Sequence, residues 1–172
     1  MEAWRIYVEV FRLLVLCGFL VAAAYGDIKR ARIGNGLCLG AALGGLALGC
    51  VVAGMAGFRM SVLGLVAGGG PLMVIYAIGL AGNKPYMGAG DVKLMAGLGT
   101  FTGPWGALWS IYYALWIAGV AALCVVMVCA LRRRELPRTM PFGACLAFGA
   151  AASLFFQPGS ISSLVAGLGI RN

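Results

Sequence analysis

The sequence contains no histidine. That absence excludes a histidine-based catalytic triad, a histidine metal site and an imidazole general base. Acids are almost as scarce, with five in 172 residues: Glu2, Glu9, Asp27, Asp91 and Glu135. Charged residues make up 10% of the chain, where a soluble domain averages about 25%. Six cysteines are present, but none forms a C-x-x-C pair and most fall inside apolar runs, so they read as small core residues rather than disulfides or zinc ligands. No long linker or low-complexity tail interrupts the chain.

What the sequence has is apolar surface and glycine: 62% hydrophobic residues and 28 glycines. This is the composition of a polytopic membrane protein. Apolar runs occupy roughly 8–26, 36–57, 60–82, 92–103, 105–131 and 141–157. A helix needs about 20 residues to cross a ~30 Å hydrocarbon core, and the runs predict six crossings. The +8 net charge falls in short clusters between runs, which marks membrane topology and not a nucleic-acid surface. Lys29, Arg30 and Arg32 follow the first run, Lys84 and Lys93 flank the third connection, and Arg132, Arg133, Arg134 and Arg138 fill the fifth. The second connection has only Arg59, and the fourth, around Gly103-Pro104, has no charge. The odd-numbered loops are therefore expected in the cytoplasm, with both termini outside. The first run is expected to be a retained helix, because Glu2 and Glu9 cancel Arg5 and Arg12 in front of it whereas a cleavable signal carries its positive charge there.

Small-xxx-small pairs at Gly40/Gly44, Gly45/Gly49, Gly64/Gly68 and Gly99/Gly103 predict close helix packing. Gly68-Gly69-Gly70-Pro71 predicts a kink or local unwinding in the third run. The fourth run is short: from Asp91 to Gly103 is about 20 Å of helix, too little for a full crossing. Asp91 is thus expected below the cytoplasmic face, preceded by a glycine-rich loop that dips inward. A short helix over 161–170 is expected on the outer surface.

Each of the two aspartates adjoins an apolar run on the cytoplasmic side, and carboxylates near hydrocarbon are functional candidates. Asp91 has a bland explanation as a helix cap. Asp27 follows a helix end, where the dipole opposes a carboxylate; charge balance with Lys29, Arg30 and Arg32 is its bland alternative. Brought together, the two would supply the acid and base of an aspartic protease, one activating water and one hydrogen-bonding the scissile carbonyl. By helix ends, Asp91 suits the base and Asp27 the acid. A proton- or cation-coupled transporter could use the same two carboxylates, although such sites tend to lie at the midplane on broken helices in repeated halves. A non-catalytic scaffold is the third option.

Gly88-Ala89-Gly90-Asp91-Val92-Lys93-Leu94 resembles the GxGD signature of the type IV prepilin peptidases. Asp27-Ile28-Lys29-Arg30-Ala31-Arg32-Ile33-Gly34-Asn35 is similar to the family's first-aspartate segment, with Gly34 where proline is usual. Met140-Pro141-Phe142-Gly143 resembles the Pro-Phe-Gly that leads into the last helix. The resemblance implies Asp27 and Asp91 as the catalytic pair of a membrane aspartic endopeptidase that removes leaders from prepilin-like proteins at the cytoplasmic face. It implies supporting roles for Gly88, Gly90, Lys93, Pro141, Phe142 and Gly143, with Gly88 and Gly90 allowing close approach of the backbone. Larger bifunctional members carry a cytoplasmic insertion with two C-x-x-C pairs; the first loop here has no such cysteines, which points to a minimal member of the kind found with Tad/Flp pili. The expectation is a single all-α integral membrane domain over 1–172, multi-pass in the cytoplasmic membrane. No cofactor, metal or nucleic acid is expected, and the oligomeric state is left open.

Overall fold

The structure is a computed structural model that describes residues 2–30, 34–82, 87–133 and 142–156; the side chains of 2–6, 9, 27–30, 155 and 156 lie outside that description. The described chain is all-helical: α1 Glu2–Arg30, α2 Asn35–Ala81, α3 Ala89–Arg132 and α4 Phe142–Phe156. At 47 and 44 residues, α2 and α3 would be about 70 and 66 Å long if straight, more than twice the hydrocarbon thickness. Both are long and apolar enough to cross a membrane, and both are broken.

In α2 the dihedrals leave the helical region at Ala53 (φ −136°, ψ 20°) and Gly54 (φ 57°, ψ −135°). The chain then folds back. Gly57 lies against the backbone of Gly49, and the Ser61 hydroxyl donates to the Gly45 carbonyl at 3.3 Å. In α3 the break is Gly103, at φ 71°, a left-handed conformation that glycine adopts without steric cost. Pro104 follows, at the start of the next segment, where its missing N–H is no loss. Divided at these breaks, α2 becomes 35–52 and 55–81, and α3 becomes 89–102 and 104–132. With α1 and α4 there are six helical segments among the described residues.

Glycine brings the segments together. Gly64 and Gly99 cross backbone to backbone, each occupying the place a Cβ on the other would need. A Cβ on Gly69 would sit 2.9 Å from the Ala96 side chain, and one on Gly97 3.0 Å from the Cys38 carbonyl. Phe19 of α1 lies over Gly40 and Gly44 of α2. The core so enclosed contains Leu16, Leu20 and Ala23 of α1, Leu94, Met95, Leu98 and Phe101 of α3, and Leu146, Ala147 and Ala150 of α4. Four buried hydroxyls, on Ser61, Thr100, Ser110 and Ser153, are all hydrogen-bonded; Ser110 and Ser153 pair at 2.8 Å between α3 and α4. Large apolar side chains cover the outside as well, including Leu14, Val21, Leu63, Ile78, Trp116, Leu123 and Leu131. Helices that are apolar on both their inner and outer faces suit a hydrocarbon solvent.

Three expectations need correction. The second break falls at Ala53–Gly54 and not between 57 and 60, because Arg59 is accommodated within the helix that follows. The Gly68–Pro71 stretch keeps helical dihedrals throughout. Its glycines serve the crossing with α3, where Gly68 meets Met95 and Gly69 meets Ala96. Of the six free cysteines only Cys38 is buried, while Cys17, Cys50 and Cys124 are exposed. The expected helix over 161–170 lies outside the described residues.

Candidate active site

The buried stripe of α1 reads Leu16, Leu20, Ala23. These positions recur at the four- and three-residue spacing of one helix face. The next position in that series, four residues on, is Asp27, in the last turn of α1. Asp27 is thus inside the helix rather than after it, at the next register position of this series. The stripe at the start of α3 reads Leu98, Met95 and Leu94, all fully buried. Three and four residues back from Leu94 and Met95 is Asp91.

The two stripes also come level. The rings of Phe19 and Phe101 meet with centroids 6.0 Å apart. From that contact Asp27 is eight residues along α1, about 12 Å, and Asp91 is ten residues back along α3, about 15 Å. Both run toward the same end. Only four residues separate Arg30 from Asn35, so the end of α1 and the start of α2 lie together. The Lys93 ammonium donates to Oδ1 of Asn35 at 3.1 Å, which brings the start of α3 to that same end.

Asp91 does not cap its helix. Gly88 is the N-cap, with φ −79° and ψ 143° and no side-chain capping bond, and Asp91 is the third residue of α3. The Asp91 N–H donates to the Gly88 carbonyl at 3.1 Å. A Cβ on Gly88 would lie 3.7 Å from Oδ2 of Asp91, so a side chain there would lean on the carboxylate. The backbone angles of Gly88 are open to any residue. The Cys38 thiol lies 4.0 Å from the Gly90 carbonyl. Asn35, Cys38, Leu39, Ala42, Lys93, Ala96 and Gly97 line a groove of about 370 Å³ between α2 and α3. Phe142 packs against the core at the first residue of α4 and Gly143 is buried, while Pro141 lies outside the described residues.

The sequence profile of the type IV leader peptidase family matches residues 14–129, a span that includes both aspartates. The chain belongs to the type IV leader peptidase family. It is 34% identical over 143 residues to the prepilin leader peptidase/N-methyltransferase of Burkholderia pseudomallei (strain 1026b), covering 82% of this chain and 45% of that protein. The type 4 prepilin-like proteins leader peptide-processing enzyme of Escherichia coli O78:H11 (strain H10407 / ETEC) is 25% identical over 148 residues, 84% of this chain and 51% of that one. This leader peptidase family member therefore spans about half the length of the curated relatives it matches. No solved structure matches it.

Two features of the site escaped sequence reasoning. The place of Asp27 inside α1, four residues on from Ala23, was hidden because the apolar run ends at Gly26. The Lys93–Asn35 bond had no signal, since the partners are 58 residues apart.

Proposed function

We propose that this chain is an aspartic endopeptidase of the membrane that removes the leader from type IV prepilin-like, Flp-type precursors at the cytoplasmic face. Asp27 and Asp91 supply its two carboxylates. The observation that carries this reading is the convergence of both aspartates, each in register with the buried stripe of its helix, toward one end of the bundle at nearly one level. The match to a family of leader peptidases supplies the substrate class.

In this reading the six segments are six crossings, with both chain ends outside. The basic clusters at Lys29–Arg32, Lys84–Lys93 and Arg132–Arg138 hold the active end at the cytoplasmic surface, against anionic lipid. One carboxylate, ionised, takes a proton from water as it attacks the scissile carbonyl. The other, protonated, donates a hydrogen bond to the carbonyl oxygen as negative charge develops there. Asp91 in the first turn of α3 lies at the positive end of the helix dipole and suits the ionised role; Asp27 in the last turn of α1 suits the donor. Gly88 and Gly90 leave room for an extended substrate backbone beside Asp91, Lys93 steadies that end of α3 through Asn35, and Pro141, Phe142 and Gly143 set the approach of α4. The four residues between α1 and α2 support a minimal peptidase without an inserted domain at that point. Replacement of either aspartate by asparagine tests the reading: leader cleavage of a co-expressed prepilin-like precursor should stop.

A further inference from the structure

Arg12 is an ionisable side chain embedded in α1 that the peptidase reading leaves without a task. Sequence reasoning treated it as one of the charges balanced by Glu2 and Glu9. In the structure it is half-buried, and its guanidinium donates to the main-chain carbonyl of Phe101. Ionisable groups within apolar spans are costly and their partners are informative.

Phe101 lies two residues before the break at Gly103. The last carbonyls of a helical segment have no partner within it, and leaving them bare in hydrocarbon is unfavourable. This end is also recessed. Gly45 of α2 packs on Thr100 and Phe101. From Gly45 the first segment of α2 continues eight residues to Ala53, about 12 Å, whereas α3 continues only two residues to Gly103, about 3 Å. The first segment of α3 therefore stops about 9 Å short of the level at which α2 turns. The nearby hydroxyls satisfy other carbonyls: Thr100 donates to Gly97 at 2.7 Å and Thr102 to Leu98 at 3.3 Å. An arginine, with several N–H donors on a long apolar stem, can reach such an end from a neighbouring helix.

The same bond joins the two helices that carry the aspartates. Phe101 receives α1 twice, through the Phe19 ring and through Arg12. We propose that Arg12 is a positioning residue for the Asp27–Asp91 pair: by tying α1 to the recessed end of α3's first segment, it sets the axial register that brings the two aspartates level. The inference rests on the reading that these aspartates do the chemistry. A slip of one residue moves α1 by about 1.5 Å and turns Asp27 about 100° away from the core stripe, and displacements of about 1 Å can cost on the order of 100-fold in rate.

The test is steady-state cleavage of a prepilin-like precursor by the purified full chain in detergent, normalised to folded enzyme, for wild type, Arg12→Met, Arg12→Gln and Arg12→Lys. Arg12→Met should lower kcat by about tenfold or more with KM within about twofold. Arg12→Lys, which keeps a charged donor, should recover most of kcat. If Arg12→Met does not accumulate, Arg12→Gln is read in the same way against Arg12→Lys. A wild-type kcat in the Met or Gln variant would overturn the inference. So would a KM effect alone, or a lysine variant no better than the methionine one. Failure of the underlying reading shows differently, as a wild type that does not cleave or an Asp27→Asn variant that still does.

Discussion

Phe19 of α1 and Phe101 of α3 meet with their ring centroids 6.0 Å apart and their planes inclined by 47°. The contact is a fixed point between the two helices that carry the only aspartates of the chain. It sits beside Gly40 and Gly44 of α2, where a Cβ would lie 3.5 and 3.8 Å from the Phe19 ring, at ordinary contact distance. The Phe19–Phe101 contact thereby relates α1 to α3, and through that Asp27 to Asp91. The link from sequence to proposed chemistry runs through packing, with no long-range signal between the two aspartates themselves.

The crossing of α2 and α3 should be intolerant of any side chain. At Gly99 an added Cβ would overlap the Gly64 carbonyl, so both backbones would have to move. Gly99→Ala should destabilise the folded protein by about 1–3 kcal/mol, the usual cost of overpacking. Gly70 is the control, because a Cβ there meets nothing within 4 Å. Gly70→Ala should be neutral or stabilise by up to about 1 kcal/mol through helix propensity. Unfolding midpoints in detergent compare the two, and equal midpoints would contradict the crossing.

The Lys93–Asn35 hydrogen bond is exposed and should contribute modestly to stability. Lys93→Met and Asn35→Ala should each cost about 0.5–1 kcal/mol, and the double variant about the same as either one. Fully additive losses in a double-mutant cycle would mean that the two side chains act separately.

The proposed orientation can be read chemically. In a background where the native cysteines are replaced by alanine, cysteines at Arg30 and Arg133 should react with an impermeant thiol reagent from the cytoplasm. A cysteine at Arg59 should react from outside. The reverse pattern would take the active end away from any cytoplasmic leader.

Much of the architecture was legible because hydrocarbon imposes a coarse rule on sequence. The six apolar runs correspond to the six helical segments, and Gly103-Pro104 announced the break in α3. The break in α2 was misplaced because Arg59 looked like a loop marker, while a long cationic side chain can stay helical and extend its charge toward the surface. The Gly68–Pro71 stretch looked like an unwound segment since glycine and proline both weaken helices. What it lacks in propensity it supplies in close approach to Met95 and Ala96. Asp91 was singled out through its GxGD context, and Asp27 through its segment and position. That both are in register with buried stripes depends on knowing which face of each helix is inside, which a chain apolar on every face does not reveal. Arg12 was invisible as an anchor because its partner is a main-chain carbonyl 89 residues away.

The central claim is that two carboxylates, Asp27 and Asp91, perform leader cleavage together. The most direct measurement is to co-express a prepilin-like, Flp-type precursor with wild type, Asp27→Asn or Asp91→Asn and follow loss of the leader by mass. Asparagine preserves shape and removes the ionisable oxygen, so each variant should accumulate in the membrane and leave the precursor uncut. Continued cleavage by either variant would contradict the account, as would wild-type activity that a chelator abolishes and zinc restores.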